Sequence, residues 1–158
     1  MPTELELAGR LGAALLLGGA IGLERESSGQ VAGLRTHMTV ALGAALFGIV
    51  SAYGWTEFDV VRAQTNVQVD VTRVASNIVT GVGFLGGGAI LKDGASVRGL
   101  TTAASLWVTA AVGLTVALGG YALGAVATIG LVFSLILLRG PRGWLRHRST
   151  AAVPGKEQ

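Results

Sequence analysis

The stretch Asn77-Ile-Val-Thr-Gly-Val-Gly-Phe-Leu-Gly-Gly-Gly-Ala-Ile-Leu91 decides the fold. It is apolar over a length that belongs in a membrane, yet it keeps glycine at close-packing spacing and admits one amide. Glycine in a helix interior costs roughly 0.5–1 kcal/mol relative to alanine, so something must offset that cost. Between membrane helices the offset is close backbone approach, and Gly83 with Gly87 forms a Gly-x-x-x-Gly pair suited to it. The same spacing suits helix packing alone or a packing face that also borders a polar path.

Composition extends the membrane assignment to the whole chain. Of 158 residues, 51% are apolar, 13% are charged and 25 are glycine. The charges fall in short clusters, and the stretches between them have the length a helix needs to cross a hydrocarbon core of about 30 Å. The sequence therefore predicts an all-α membrane protein, a polytopic bundle of about five transmembrane helices over residues 1–140. A basic, disordered cytoplasmic tail follows over 141–158. Cysteine is absent, which excludes a disulfide framework, a thiolate metal site and a cysteine nucleophile. The net charge of +3 is no evidence for nucleic acid, because the basic residues have a topological explanation.

Thr3 and Glu6 fit a capping box at the start of span one, which runs to about Leu23. Arg10 lies at the outer edge of that span and is expected to snorkel to the interface. The acidic first residues do not read as a cleavable signal peptide. Span two covers Met38 to Trp55 and ends in Tyr53 and Trp55, as an aromatic belt would. Span three is about Val74 to Leu91. The uncharged stretch from Leu100 to Leu138 is too long for one crossing and breaks near Leu118-Gly-Gly-Tyr121, where paired glycines permit a tight turn.

Five crossings put the 24–37 loop, the 92–99 loop and the C-terminal tail on one face. That face carries Arg25, Arg35, Lys92, Arg98, Arg139, Arg142, Arg146, Arg148 and Lys156, nine of the twelve basic residues. The opposite face has Arg10, Arg62 and Arg73. The excess places the N-terminus outside and the C-terminus in the cytoplasm. The tail Arg139-Gly-Pro-Arg-Gly-Trp-Leu-Arg-His-Arg148 suits an interfacial anchor for anionic lipid.

Polar residues in or beside the spans mark where function would lie, since each costs energy in hydrocarbon unless it meets a partner or water. Asp70, Arg73, Asn77 and Thr80 recur at intervals of three, four and three and share one helical face. The stripe descends about 15 Å from the outer surface toward the midplane. Asp70 can cap the helix and pair with Arg73, leaving Asn77 as an interhelical donor, or the stripe can line a route for a cation or proton. A second cluster, Glu24-Arg25-Glu26 with Arg35 and His37, sits at the cytoplasmic end of span one. Carboxylates two apart do not share a helical face, so Glu24 and Glu26, with Asp70, make only a weak metal-ligand set. His37 at an interface can titrate near neutrality or merely snorkel. A third cluster opens span four with Thr101, Thr102 and Ser105, the first and last stacking with Thr109 on one face. Such hydroxyls bond their own helix carbonyls as often as a ligand.

In order and approximate spacing these clusters resemble one known family. Gly22-Leu-Glu-Arg-Glu26, Ala32-Gly-Leu-Arg-Thr-His37, the segment from Arg73 through Gly83-Phe-Leu-Gly-Gly-Gly-Ala-Ile-Leu91, and Gly99-Leu-Thr-Thr-Ala-Ala-Ser-Leu-Trp-Val-Thr-Ala-Ala-Val-Gly113 are similar to the MgtC/SapB membrane domain. The likeness spans roughly residues 8 to 138. It implies a multi-pass bacterial inner-membrane protein linked to growth at low magnesium, to survival of some pathogens in macrophages and to control of membrane energetics. Val71 follows Asp70 where the family usually has proline, and Gly86-Gly-Gly88 varies its usual Gly-Ala-Gly. The chain is expected to be a short, SapB-like member without the soluble C-terminal domain of MgtC proper.

Two function classes survive. One is a small ion-handling protein in which the span-three stripe and the span-four hydroxyls Thr101, Thr102 and Ser105 line a polar path and Glu24 and Glu26 receive a cation on the cytoplasmic side; Mg2+ is the expected ligand or substrate, since hard cations prefer carboxylate, amide and hydroxyl oxygens. The other is a regulator of another membrane complex, such as the F-type ATP synthase, as the resemblance implies. An enzyme is disfavoured: no span sets a nucleophile beside a base, a histidine cluster or a phosphate-binding loop. No cofactor is expected. The small-residue pairs Gly18/Gly22, Gly83/Gly87 and Gly120/Gly124 exceed what one bundle can use and predict a homodimer.

Overall fold

The computed structural model describes residues 1–54, 70 and 72–138. Trp55, Arg62 and the basic tail lie outside the described residues. Five helices are seen among the described residues: α1 (Glu4–Ser27), α2 (Leu34–Tyr53), α3 (Thr72–Ala89), α4 (Leu100–Ala117) and α5 (Tyr121–Leu137). Between α3 and α4 runs an antiparallel hairpin of β1 (Leu91–Asp93) and β2 (Ser96–Arg98), in the register Leu91 to Arg98 and Asp93 to Ser96. The chain is thus an all-α membrane bundle with one small hairpin where a plain loop was expected. Gly94-Ala95 supplies its turn, with Gly94 at φ 58°.

Each helix begins where a donor or a backbone twist lets it. Thr3 accepts the Glu6 N–H at 3.2 Å, half of the expected capping box, while the Glu6 carboxylate turns instead to Arg10. Gly33 gives α2 no side-chain cap, and Glu26 reaches across from the end of α1 to accept the Leu34 N–H at 2.8 Å. Asp70 accepts the Thr72 N–H at 2.9 Å at the start of α3. Gly99 stands at φ 86°, and a Cβ there would run into the Ala89 carbonyl, so the turn into α4 needs glycine. The break between α4 and α5 falls at Leu118-Gly119-Gly120, with Gly119 at φ 87°.

The first two helices and α4 are each long and apolar enough to cross a membrane by length and composition, and α5 is apolar over 17 residues. These three pack together at the centre, α5 lies on α4 and α1, and α3 lies on α4 and α2. The contacts are made by small side chains. Ala14, Ala41, Ala45 and Ala117 form one fully buried cluster with Ile49, and Ala44, Val82, Leu106 and Ala110 belong to a second. A Cβ on Gly18 would stand 2.6 Å from the Ala41 Cβ, and one on Gly22 only 2.7 Å from the Leu34 Cα. Gly113 lies directly against the Ala41 carbonyl. Helix axes therefore approach as closely as missing side chains permit. Leu16, Phe47, Phe84, Val126 and Phe133 project outward, which gives the bundle an apolar exterior facing lipid.

Candidate functional site

The polar stripe of α3 lies on the outside of the bundle. Asp70, Arg73, Asn77 and Thr80 are all exposed. Asp70 caps the helix, accepting the Thr72 hydroxyl at 2.6 Å and the Thr72 N–H. Those two bonds, the hydroxyl first, hold its carboxyl below the usual carboxylate range, with Arg73 adding a smaller attraction. Thr80 donates to the Ser76 carbonyl at 3.3 Å, the back-bond common for hydroxyls in membrane helices. Asn77 has no hydrogen-bond partner among the described residues and opens into a groove of about 590 Å³ between α2 and α3. Its walls are mostly apolar, with Val40, Phe47, Ile78, Val82 and Leu85 among them, and Thr39 and Asn77 supply the polar side chains.

Beside this stripe runs the glycine edge of α3. A Cβ at Gly83 or Gly87 would meet no atom of the described residues within 4 Å, whereas one at Gly86 would stand 3.4 Å from the Ala103 Cβ. The other pairs differ. Gly18 and Gly22 are used within the chain between α1 and α2, Gly120 lies against Thr115, and Gly124 receives Val116 and Leu17.

The hydroxyls of α4 are divided by the helix. Thr101 is exposed, whereas Thr102, Ser105 and Thr109 are buried, so the face that α4 turns inward is centred one residue on from the expected one. Ser105 does not meet the α3 stripe. It faces α2, where its Oγ lies 3.1 Å from Nε2 of His37. His37 is fully buried rather than interfacial, because Gly18 and Gly22 let α2 sink onto α1 at this level. Its Nδ1 lies 2.9 Å from the Gly33 carbonyl.

The charged cluster at the same end is parted by the helix turn. Glu24 and Arg25 are buried, at 8% and 3% exposure, and form an ion pair at 2.6 Å. Ser28 donates to the Glu24 carboxylate at 2.7 Å. Glu26 is exposed and serves as the cap of α2, and Arg35 is exposed. Glu24, Glu26 and Asp70 are not brought together, and among the described residues no three His, Asp or Glu side chains converge as a metal cluster would.

Arg10 is the residue whose role the sequence concealed. It does not snorkel: only 7% exposed, it donates to the Ala117 carbonyl at 2.7 Å, to the Tyr53 hydroxyl at 2.8 Å and to Glu6 at 2.7 Å. The guanidinium thus closes the negative end of α4 and ties α1, α2 and α4 together. Glu6 and Arg10 at i and i+4 were the available signal, but which carbonyl the arginine meets depends on a contact 107 residues away.

Comparison with known proteins follows the same segments. The model of the MgtC family matches residues 11–142. The chain is 46% identical over 129 residues to "Putative magnesium transporter YhiD" of Escherichia coli K12, covering 82% of this chain and 57% of that protein. It is 46% identical over 129 residues to Protein MgtC of Brucella abortus, 82% of this chain and 50% of that one. With Protein MgtC of Salmonella typhimurium LT2 the identity is 42% over 127 residues, 80% and 50% of the two chains. The chain spans about half the length of these relatives, and no solved structure matches it. With the Glu24–His37 cluster, the glycine run and every helix but the first turns of α1 inside the matched region, this membrane protein belongs to the MgtC family.

Proposed function

We propose that the protein acts in magnesium-linked cation homeostasis of the bacterial inner membrane, with the outer face of α3 forming one wall of a polar route. The observation that carries this is Asn77, an amide without a hydrogen-bond partner among the described residues, on a membrane helix, beside an open groove and in line with Asp70, Arg73 and Thr80. An amide so placed costs energy unless water, an ion or another chain meets it. The magnesium link rests on family membership and on the relative named "Putative magnesium transporter YhiD". Mg2+ is the substrate or ligand of choice because the oxygens of Asp70, Asn77 and Thr80 are hard donors that leave a small cation most of its water.

Purified protein in liposomes loaded with a magnesium-sensitive dye tests the route. Imposed Mg2+ gradients should drive flux that Asn77→Ala and Asp70→Asn each lower by roughly tenfold, the effect of one lost polar contact of ~1.4 kcal/mol. Absence of flux in the parent protein, with both variants still supporting growth at low magnesium, would falsify the conduit.

A second reading is favoured by the open positions at Gly83 and Gly87. A close-packing pair that no described residue covers is suited to a helix from another polypeptide. A second copy related by a two-fold axis would complete the α3 wall and give a homodimer. Alternatively the same face would hold a larger membrane complex that the protein regulates without transporting. Co-purification of such a complex from gently solubilised membranes, lost in Gly83→Leu, supports regulation, and isolation of this protein alone counts against it.

A further inference from the structure

The junction of α1, α2 and α4 encloses a protonatable group that the α3 route does not use. His37 has no exposed surface, and each ring nitrogen faces an oxygen: Nδ1 the Gly33 carbonyl at 2.9 Å, Nε2 the Ser105 Oγ at 3.1 Å. A carbonyl can only accept, so Nδ1 carries a hydrogen. Ser105 has one hydrogen, and its Oγ also lies 2.8 Å from the Thr102 carbonyl, to which it donates. While that hydrogen stays on Thr102, Nε2 must itself donate to Ser105, and the ring is an imidazolium. When the ring is neutral, Nε2 accepts, and the Ser105 hydrogen turns from Thr102 to the ring. The Thr102 carbonyl is not orphaned by this turn, because the helical ladder of α4 also serves it.

We propose that His37, Ser105 and Thr102 form a buried proton-binding site, in which His37 gains and loses a proton at Nε2 and the Ser105 hydroxyl rotates to match each state. No heavy atom needs to move. The proton is therefore read directly at the contact between α2 and α4.

Burial disfavours the imidazolium, and the Gly33 carbonyl and the Glu24 carboxylate work against that cost. From α1 come Glu24 and Arg25, which act on the ring with opposite sign and are paired with each other. The face of α4 against it carries only the uncharged Thr102, Ser105 and Thr109. Arg35 of α2 itself, Arg73 of α3, and Lys92, Asp93 and Arg98 of the hairpin are exposed. Glu24 is thus the carboxylate among the described residues placed to offset a buried imidazolium.

Nitrogen-15 NMR of the full chain in lipid nanodiscs, labelled at histidine, tests the site. His147 is the other histidine of the sequence, and His147→Gln leaves His37 as the sole signal. Nδ1 should remain protonated between about pH 5 and 8 while Nε2 gains its proton as the pH falls. Ser105→Ala should lower the protonated fraction of His37 at a given pH by about threefold or more, because a charge-assisted bond loses its acceptor. Ser105→Thr, which keeps the hydroxyl, should restore it. An Nδ1 without hydrogen, or an Nε2 whose state does not change over this range, overturns the proposal. So does a Ser105→Ala variant that titrates like its parent, and the parent titration decides the matter even if that variant does not fold.

Discussion

Arg10 shows how much one residue can carry in this bundle. Its three hydrogen bonds join the ends of α1, α2 and α4, and its guanidinium also lies 5.5 Å from the Tyr53 ring centroid. Arg10→Gln should lower stability by about 1–3 kcal/mol, since the Ala117 carbonyl and the Tyr53 hydroxyl lose a charged donor. Arg10→Lys should recover only part, because a point charge cannot serve three acceptors in a plane. Thermal unfolding in mild detergent measures both. Asp70 gives a residue-scale pH dependence. Its folded carboxyl sits below the ordinary range, so it stabilises the first turn of α3 above that range and ceases to do so as pH falls through the folded value. Protection of the Val74 and Ala75 amides, measured against their intrinsic exchange rates, should fall on acidification below about pH 4, and Asp70→Asn should flatten that dependence. Protection that does not change on acidification would show that Asp70 is not the cap.

At the scale of elements, the glycines divide into those already in contact and those still open. Gly113→Ala must push α4 away from the Ala41 carbonyl and should destabilise by about 1–3 kcal/mol, as overpacking does. Gly83→Ala and Gly87→Ala meet no atom of the described chain and should stabilise an isolated protomer by roughly 0.5–1 kcal/mol through helix propensity. Denaturant titration of the three variants separates the two classes. Helix number and the α4–α5 break were legible in the sequence, because charge clusters and Gly119-Gly120 interrupt the apolar stretches. The hairpin was not, although Asp93-Gly94 announces a turn, since six residues leave little room for a strand signal to rise above it. Inward faces were harder still. His37 beside two charged clusters looks interfacial, and only the absent side chains of Gly18 and Gly22 on another helix explain its burial. Thr101 and Ser105 share a face by spacing, yet rotation of α4 against α2 buries Thr102 with Ser105 and leaves Thr101 out.

For the whole molecule, the decisive asymmetry is that α1, α2 and α4 form the centre while α3 lies to one side with its amide and two glycines uncovered. If a second copy covers that side, native mass spectrometry from nanodiscs should find a dimer. Gly83→Leu with Gly87→Leu should return the monomer without unfolding it, because neither position meets a described residue of its own chain. A monomeric parent would remove the dimer from consideration. The same asymmetry bears on how the protein is made. Of the long helices, α3 is less apolar over its 18 described residues than the most apolar stretches of α1, α2 and α4, and its main neighbour, α4, is synthesised after it. If α3 enters the bilayer before α4 is made, Arg73, Asn77 and its five glycines give it the weaker hold, and the hairpin then turns the chain so that α4 arrives beside it. Insertion of α3 should then be firmer in chains that extend through α4 than in chains cut before Leu100.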